Sequence, residues 1–459
     1  MFWPARTNDG LRLGGNRAAF APAGMSDSLH VFCVALLIIS VVWPRYVFIK
    51  IGGFGLNPYT LGNLTALALC ALALRARRAL RVEWRWGMER AHPVAGLIAA
   101  FFAWRLVCDV LGETPSDSVL STLRELFYVA SPFVIGSVLF LDPRSRRALP
   151  LVLCACAALA AAVGLYERME GGSIVSALGL ANITAESDSV DRVATWGGVR
   201  DGGYRASAFF VHPILFGQFV SAVTPLALVL LWTRSAKARL VGLACLIATP
   251  LAIYAAGVRS PVFTALTSVG AFLSLLLWTR PGSTQVRAGA VVAALLVGVT
   301  LYFGAGDALS DMMRGRTRDE IVSSEARGEM IASGLAAIEE SPVFGFGEGR
   351  SGLKAGMPGD DGDLSIDNAY LSLLLDFGYV GATLFIVLMG AIVRLGLRAA
   401  RAAPPDDRAM AFALIGMTLG VLVGQSIVSI YENLSFIYMA AGCFTAMLAQ
   451  PSPRFRFSA

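Results

Sequence analysis

Long apolar runs alternate with short polar connections along almost the whole chain. Runs long enough to cross a bilayer as a helix, about 20 mostly apolar residues, lie at about Leu29–Ile49, Tyr59–Leu74, Pro93–Leu111, Leu123–Leu141 and Leu149–Tyr166. Seven more lie at about Ala206–Trp232, Leu240–Ala256, Pro261–Trp278, Val286–Phe303, Asn368–Val393, Ala409–Ile427 and Leu434–Leu448. The pattern predicts an all-α polytopic membrane protein of about twelve transmembrane helices, since a helix satisfies its own backbone where no water can. One interval breaks the rhythm. Gly304–Ile366 is polar and rich in Arg and Gly, and the chain re-enters the membrane through Asp367-Asn368-Ala369-Tyr370-Leu371. Inside the interval Met330, Ile331, Leu335 and Ile338 keep helical spacing, with Ser323 or Ser324 as cap and Pro342 as stop. This predicts an amphipathic helix on the membrane surface or over a cavity. The organisation expected is a tail over 1–28, nine spans over 29–303, the large loop over 304–366, three spans over 367–449 and a tail over 450–459.

Charge gives the orientation. Arg75, Arg77, Arg78, Arg81, Arg85 and Arg90 share one connection; Arg144, Arg146 and Arg147, then Arg234, Lys237 and Arg239, then Arg280 and Arg287, then Arg394, Arg398, Arg401 and Arg408 share later ones on the same side. The positive-inside rule makes that side cytoplasmic, with both termini, and sends 112–122, 167–205 and 304–366 outward. The first span is expected to act as an uncleaved anchor, because no apolar signal-peptide core follows the N-terminal charges directly. Hydrophobic residues are 56% and charged residues 15%, which excludes a soluble domain. The basic balance is accounted for by cytoplasmic arginines, so no nucleic-acid partner is implied. All seven cysteines fall in spans, and Cys154-x-Cys156 is too close and too buried for a zinc pair.

Outward arginines lack that explanation. Arg200 and Arg205 precede the sixth span, Arg259 lies in Val258-Arg259-Ser260-Pro261, and the large loop adds Arg314, Arg316, Arg318, Arg327 and Arg350. Guanidinium groups at headgroup level in separate loops suit a phosphate receptor; snorkelling, or pairing with Asp201, Glu325 and Glu329, is the alternative. For Arg205 and Arg259 the phosphate reading is favoured, because neighbouring Gly, Ser and Pro let the backbone approach closely. His212, before Pro213, fits a structural hydrogen-bonder at a helix start or a base. The chain's three histidines, His30, His92 and His212, exclude a His-rich metal site. Asp360, Asp361 and Asp363 read as a solvated turn before a hard-cation site. Gly345-Phe346-Gly347-Glu348-Gly349 reads as a flexible turn. Asp367 fits a general base, a helix N-cap or both; Asp376 and Glu432 are further carboxylates at membrane depth. Arg105 and Asp109, four apart on one span, are expected to pair.

The order of these motifs resembles the O-antigen ligase and Wzy-type polysaccharide polymerase superfamily. They are Arg-x-Ser-Ala-Phe-x-x-His-Pro, Val-Arg-Ser-Pro, Glu-x-Arg at Glu325 and Arg327, Ser-Pro-x-Phe-Gly-x-Gly, Asp-Asn-x-Tyr-Leu and Phe-Gly-Tyr-Val-Gly, covering roughly Arg200 to Gly381. The resemblance implies a membrane glycosyltransferase of GT-C-like type in the bacterial inner membrane, without metal or other cofactor. It implies a polyprenyl-diphosphate-linked glycan donor, a glycan or lipid-linked acceptor, surrounding membrane lipid, and a flippase and chain-length regulator as partners. Carried over, Arg205 and Arg259 hold the diphosphate, Arg327 helps orient it, and Asp367 is the base. Arg200, His212, Glu325, Arg350, Asn368 and Glu432 complete the expected substrate-binding set. Ligases of the superfamily typically place histidine where this chain has Asp367, which favours a repeat-unit polymerase over a ligase. A transporter or flippase fits less well, because charges gather at one face and no inverted-repeat hydropathy is visible.

Overall fold

The computed structural model describes residues 27–51, 54–179, 199–200, 203–279, 318–358, 364–429 and 431–449. The chain enters through α1 (Asp27–Val42), a short β1–β2 ribbon (Ile49–Ile51 with Phe54–Leu56), α2 (Pro58–Ala76) and α3 (Arg78–Leu111). It continues through α4 (Pro115–Glu125), a π-helical turn over Leu126–Ala130, α5 (Ser131–Leu139), α6 (Pro143–Glu170) and the single turn α7 (Ile174–Ala177). A two-residue pair, β3–β4 (Val199–Arg200 with Gly203–Tyr204), leads to α8 (Pro213–Leu231), α9 (Ala236–Ala256) and α10 (Ser260–Trp278). After α11 (Arg318–Ala337), α12 (Ser351–Ala355) and a β5–β6 pair (Met357–Pro358 with Leu364–Ser365) come α13 (Ala369–Ala402), α14 (Pro405–Gly424) and α15 (Leu434–Leu448).

Among the described residues nine helical stretches are long and apolar enough to cross a membrane, and α1 and α15 are shorter apolar helices. They coincide with the expected spans, except that Val286–Phe303 lies outside the described residues. Proline opens α2, α4, α6, α8, α10 and α14, where its missing N–H costs nothing and its fixed φ suits the first turn. Pro115 therefore starts the fourth span earlier than hydropathy suggested: most of 112–122, read as a loop, is helix α4, continuous with the π turn and α5. Helices α8 and α15 are apolar all round and almost wholly buried, as central helices must be. The first packs against α6, α9, α10 and α14, the second against α3, α5, α13 and α14.

Contacts sort the connections into two ends. At the arginine-rich end Arg146 pairs with Asp407 at 3.4 Å, Arg144 with Asp27 at 2.7 Å, and Arg398 donates to the Arg90 carbonyl at 3.2 Å. At the opposite end the backbone joins Ala206 to Ala255, Ala369 to Gln425 and Phe346 to Leu375.

Helix α11 begins at Arg318, so Ser323 and Ser324 lie inside it rather than at its cap. Met330 and Ile338 are buried, but Ile331 and Leu335 are exposed. The close approach uses Gly334, where an added Cβ would lie 2.8 Å from Leu371 of α13. The helix thus rests on the top of α13 along a narrower stripe than the spacing suggested. A single 3₁₀ turn, Ile338–Glu340, ends the run before Pro342.

Candidate functional site

The end opposite the arginine-rich connections is built around a strained segment. Ala208 has φ 50 without being glycine, a conformation that survives only when its surroundings impose it. Glu167, near the end of α6, imposes it: its carboxylate accepts from Ser207 N at 3.1 Å, Ala208 N at 2.8 Å and Ile174 N at 2.9 Å. Ala206 N donates to Ala255 O at 3.0 Å, fastening the segment to the end of α9.

That framework converges arginines. Arg168 donates to the Tyr204 carbonyl at 3.0 Å and lies 4.5 Å over the Tyr254 ring. Gly257 caps α9 with φ 59, and a Cβ there would stand 3.2 Å from both Arg168 Nη1 and Arg205 Cγ. Glycine therefore admits two arginine side chains beside one turn. Arg259 follows two residues later, half-buried at the cap of α10. The structure so brings Arg205 to the turn that carries Arg259 and adds Arg168, which sequence reasoning missed. At the end of the fifth span Arg168 reads as a headgroup snorkel; the one available signal was its place next to Glu167 in a run that hydropathy ends at Tyr166.

His212 caps α8, its Nδ1 accepting from Ile214 N at 3.1 Å, so the structural role expected for it is present and the ring proton sits on Nε2. Burial, reinforced by the Arg205 charge, lowers this imidazole from 6.5 to about 4. The folded chain then keeps neutral a ring that the unfolded chain protonates. Its contribution to stability is full above about pH 6.5 and is lost as pH falls towards 4. The drop in melting temperature between about pH 7 and about pH 5 will therefore be smaller in His212→Asn, which keeps an oxygen for Ile214 N. Equal drops in both chains would show that His212 is not held neutral.

Asn368, not Asp367, caps α13: its Oδ1 accepts from Tyr370 N at 3.0 Å and Leu371 N at 3.2 Å. The cap role considered for Asp367 is thus filled by its neighbour, whose side chain points back over the first turn, and Asp367 is exposed. Ala369 N donates to Gln425 O at 2.9 Å, tying this corner to the connection between α14 and α15. Glu432 lies in that connection; burial pushes its carboxyl above the usual range, with Arg45 opposing.

The segment 341–351 is no flexible turn. Phe346 N and Gly347 N donate to the Leu375 and Asp376 carbonyls at 2.9 Å each. Glu348 N donates to Asp109 Oδ1 at 2.9 Å, and the Asp376 carboxylate accepts from Gly349, Arg350 and Ser351 N at 2.7–3.3 Å. Gly345 and Gly378 both have positive φ, and a Cβ on Gly378 would run into the Val343 carbonyl; there α13 breaks and admits the segment. Glu348 enters the interior and meets Arg105 at 2.6 Å, while Glu125 meets the same guanidinium at 2.5 Å. The expected Arg105–Asp109 pair is therefore replaced: two carboxylates from distant segments reach Arg105, and Asp109 turns to a backbone amide. Burial raises the Glu348 carboxyl well above its usual range, against the pull of Arg105. Asp376 is explained by this scaffold, and Arg350 is tied to the α3–α4 connection through Thr114 Oγ1 at 3.0 Å.

The backbone of Arg200 lies in the β3–β4 pair, and Glu325 and Arg327 lie in α11; their side chains, with Arg314, Arg316, Asp360, Asp361 and Asp363, lie outside the described residues.

Comparison with known families agrees with the motif order. Residues 241–386, from α9 through the bend of α13, match the family model described as O-Antigen ligase. That stretch of the chain is similar to the O-antigen ligase family. The match supports the O-antigen ligase/Wzy superfamily and, with the membrane helices, a multi-pass protein with glycosyltransferase-like activity on lipid-linked glycans. No curated protein matches the chain. Arg168 and the Ala206–His212 segment lie before the matched domain; the Gly257–Arg259 turn and Asp367 lie within it.

Proposed function

We propose that this protein polymerises lipid-linked oligosaccharide repeat units at the outer face of the bacterial inner membrane. The observation that carries the reading is the convergence of Arg168 and Arg205 on Gly257, with Arg259 on the same turn. Three guanidinium groups at the end opposite the topogenic arginines suit a diphosphate at the membrane boundary. In the reaction the acceptor hydroxyl oxygen attacks the anomeric carbon of the donor glycan. The carbon–oxygen bond to the diphosphate breaks, and the electron pair leaves on phosphate oxygen. The arginines stabilise that charge, which grows towards the transition state. The hydroxyl proton passes to Asp367, the exposed carboxylate beside the Asn368 cap of α13.

Ligation onto lipid A-core is the second reading, favoured by the description of the matched family. Glycan from a deletion strain separates the two. Single repeats capped on core are expected for a polymerase, whereas long unattached lipid-linked chains would establish a ligase. Complementing that strain with Asp367→Ala is expected to leave single repeats, with a loss of about 100-fold or more in polymer, the range for removing a general base. Normal chain lengths from a well-expressed Asp367→Ala chain would remove Asp367 from the chemistry.

A further inference from the structure

The connection after α1 supplies two side chains that the proposed reaction does not use. Arg45 donates to the Glu432 main-chain carbonyl at 3.2 Å and to the Ser435 hydroxyl at 3.1 Å, with its guanidinium 4.3 Å over the Tyr59 ring. Asn57 Nδ2 donates to the Arg45 carbonyl at 2.9 Å, and Ser435 Oγ to the Glu432 carbonyl at 2.7 Å. The main chain of Glu432 is thus gripped from two sides. Its carboxylate is not: among the described residues it makes no hydrogen bond or ion pair, although Arg45 acts on it electrostatically.

Tyr46 has the complementary property. Its hydroxyl is buried without a hydrogen-bond partner among the described residues. The charged or ionisable groups that act on it are Glu167, Tyr204 and Glu432. Glu167 is committed to three backbone amides. A buried hydroxyl without a partner is costly, and folded proteins keep such groups where something else completes them. The location is specific. Tyr204 directly precedes Arg205, and Asn433, next to Glu432, donates to Leu215 O and Gln218 Oε1 of α8, the helix that His212 caps. The unpaired phenol and the unpaired carboxylate therefore flank the arginine site on its α1–α8–α15 side.

We propose that Tyr46 and Glu432 form the acceptor subsite, binding the ring hydroxyls of a sugar. The inference rests on the transferase reading above. A carboxylate accepts from two neighbouring hydroxyls of a neutral polyol, and a phenol adds a further hydrogen bond. The same negative charge repels a diphosphate, so the subsite admits the sugar and leaves the anionic donor to the arginines.

The test uses the full chain in detergent with two separate probes: lipid-free repeat-unit glycan released from the host polymer, and polyprenyl diphosphate. Glu432→Gln and Tyr46→Phe are each expected to weaken glycan binding about tenfold, the scale of one lost hydrogen bond to a charged or buried group. Both should leave polyprenyl diphosphate binding within about twofold, which also verifies folding. Arg205→Ala should do the reverse. Unchanged glycan affinity in both variants, equal loss of both probes, or no glycan binding by the unsubstituted chain would overturn the subsite. Retained polyprenyl diphosphate binding in Arg205→Ala would instead overturn the donor reading, and the two failures are separable.

Discussion

Replacing Arg205 or Arg259 by alanine will stop polymer formation and leave single lipid-linked repeats to accumulate. A group that stabilises charge developing on a leaving oxygen is worth about 100- to 1000-fold in rate when removed from a water-poor site. Arg205 packs beside Gly257, whose missing Cβ gives it room, and Arg259 sits two residues further on at the cap of α10. Lysine at either position should recover only part of the activity, since it keeps the charge but loses the planar fork that meets two phosphate oxygens at once. Chain-length analysis of glycan from strains with matched expression decides the matter. Normal polymer from both alanine variants would end the diphosphate assignment.

Arg105→Met will destabilise the whole assembly by about 3–5 kcal/mol, the range for removing one partner of a buried ion pair. The guanidinium is buried between Glu125 and Glu348 and faces the rings of Phe101, Phe102 and Phe377. Without it two carboxylates are left inside, and the segment through Gly345–Gly349 loses its innermost anchor. Thermal unfolding in detergent should show the loss, and adding Glu348→Gln should restore part of it by removing one uncompensated charge. If Arg105→Met melts with the unsubstituted chain, the ion triad is not what holds the segment in.

These two expectations come from opposite ends of what could be read in advance. Arg205 and Arg259 stand out in the sequence because topology leaves the outward arginines unexplained and these two lie beside Gly, Ser and Pro. Eleven of the expected spans were legible because each is a local stretch of apolar residues, and each has a helix in the structure. Arg105 was misread because helical spacing presents Asp109 as its neighbour, whereas Glu125 and Glu348 come from 20 and 243 residues away. The Gly345–Gly349 run carried the signature of a loose turn; its glycines serve left-handed backbone and close packing against α13 instead. Asp367 and Asn368 are adjacent, and only coordinates show that Asn368 takes the cap. Tyr46 and Arg45 had no local pattern at all.

Local properties of this chain follow from the sequence alone: apolar length sets which segments form helices long enough to cross a membrane, proline sets where many begin, and arginine bias sets the expected orientation. These depend on residues within one turn or one connection, so hydropathy and charge determine them without knowledge of partners. The site is decided only by tertiary structure. Arg168, Arg205 and Tyr204 reach one another because Glu167 holds an otherwise unfavourable backbone at Ala208. Tyr46 comes under the charge of Glu432, whose turn Arg45 grips from 387 residues away. A buried polar group must find its partner wherever the fold places one, and that distance along the chain is what periodicity cannot carry.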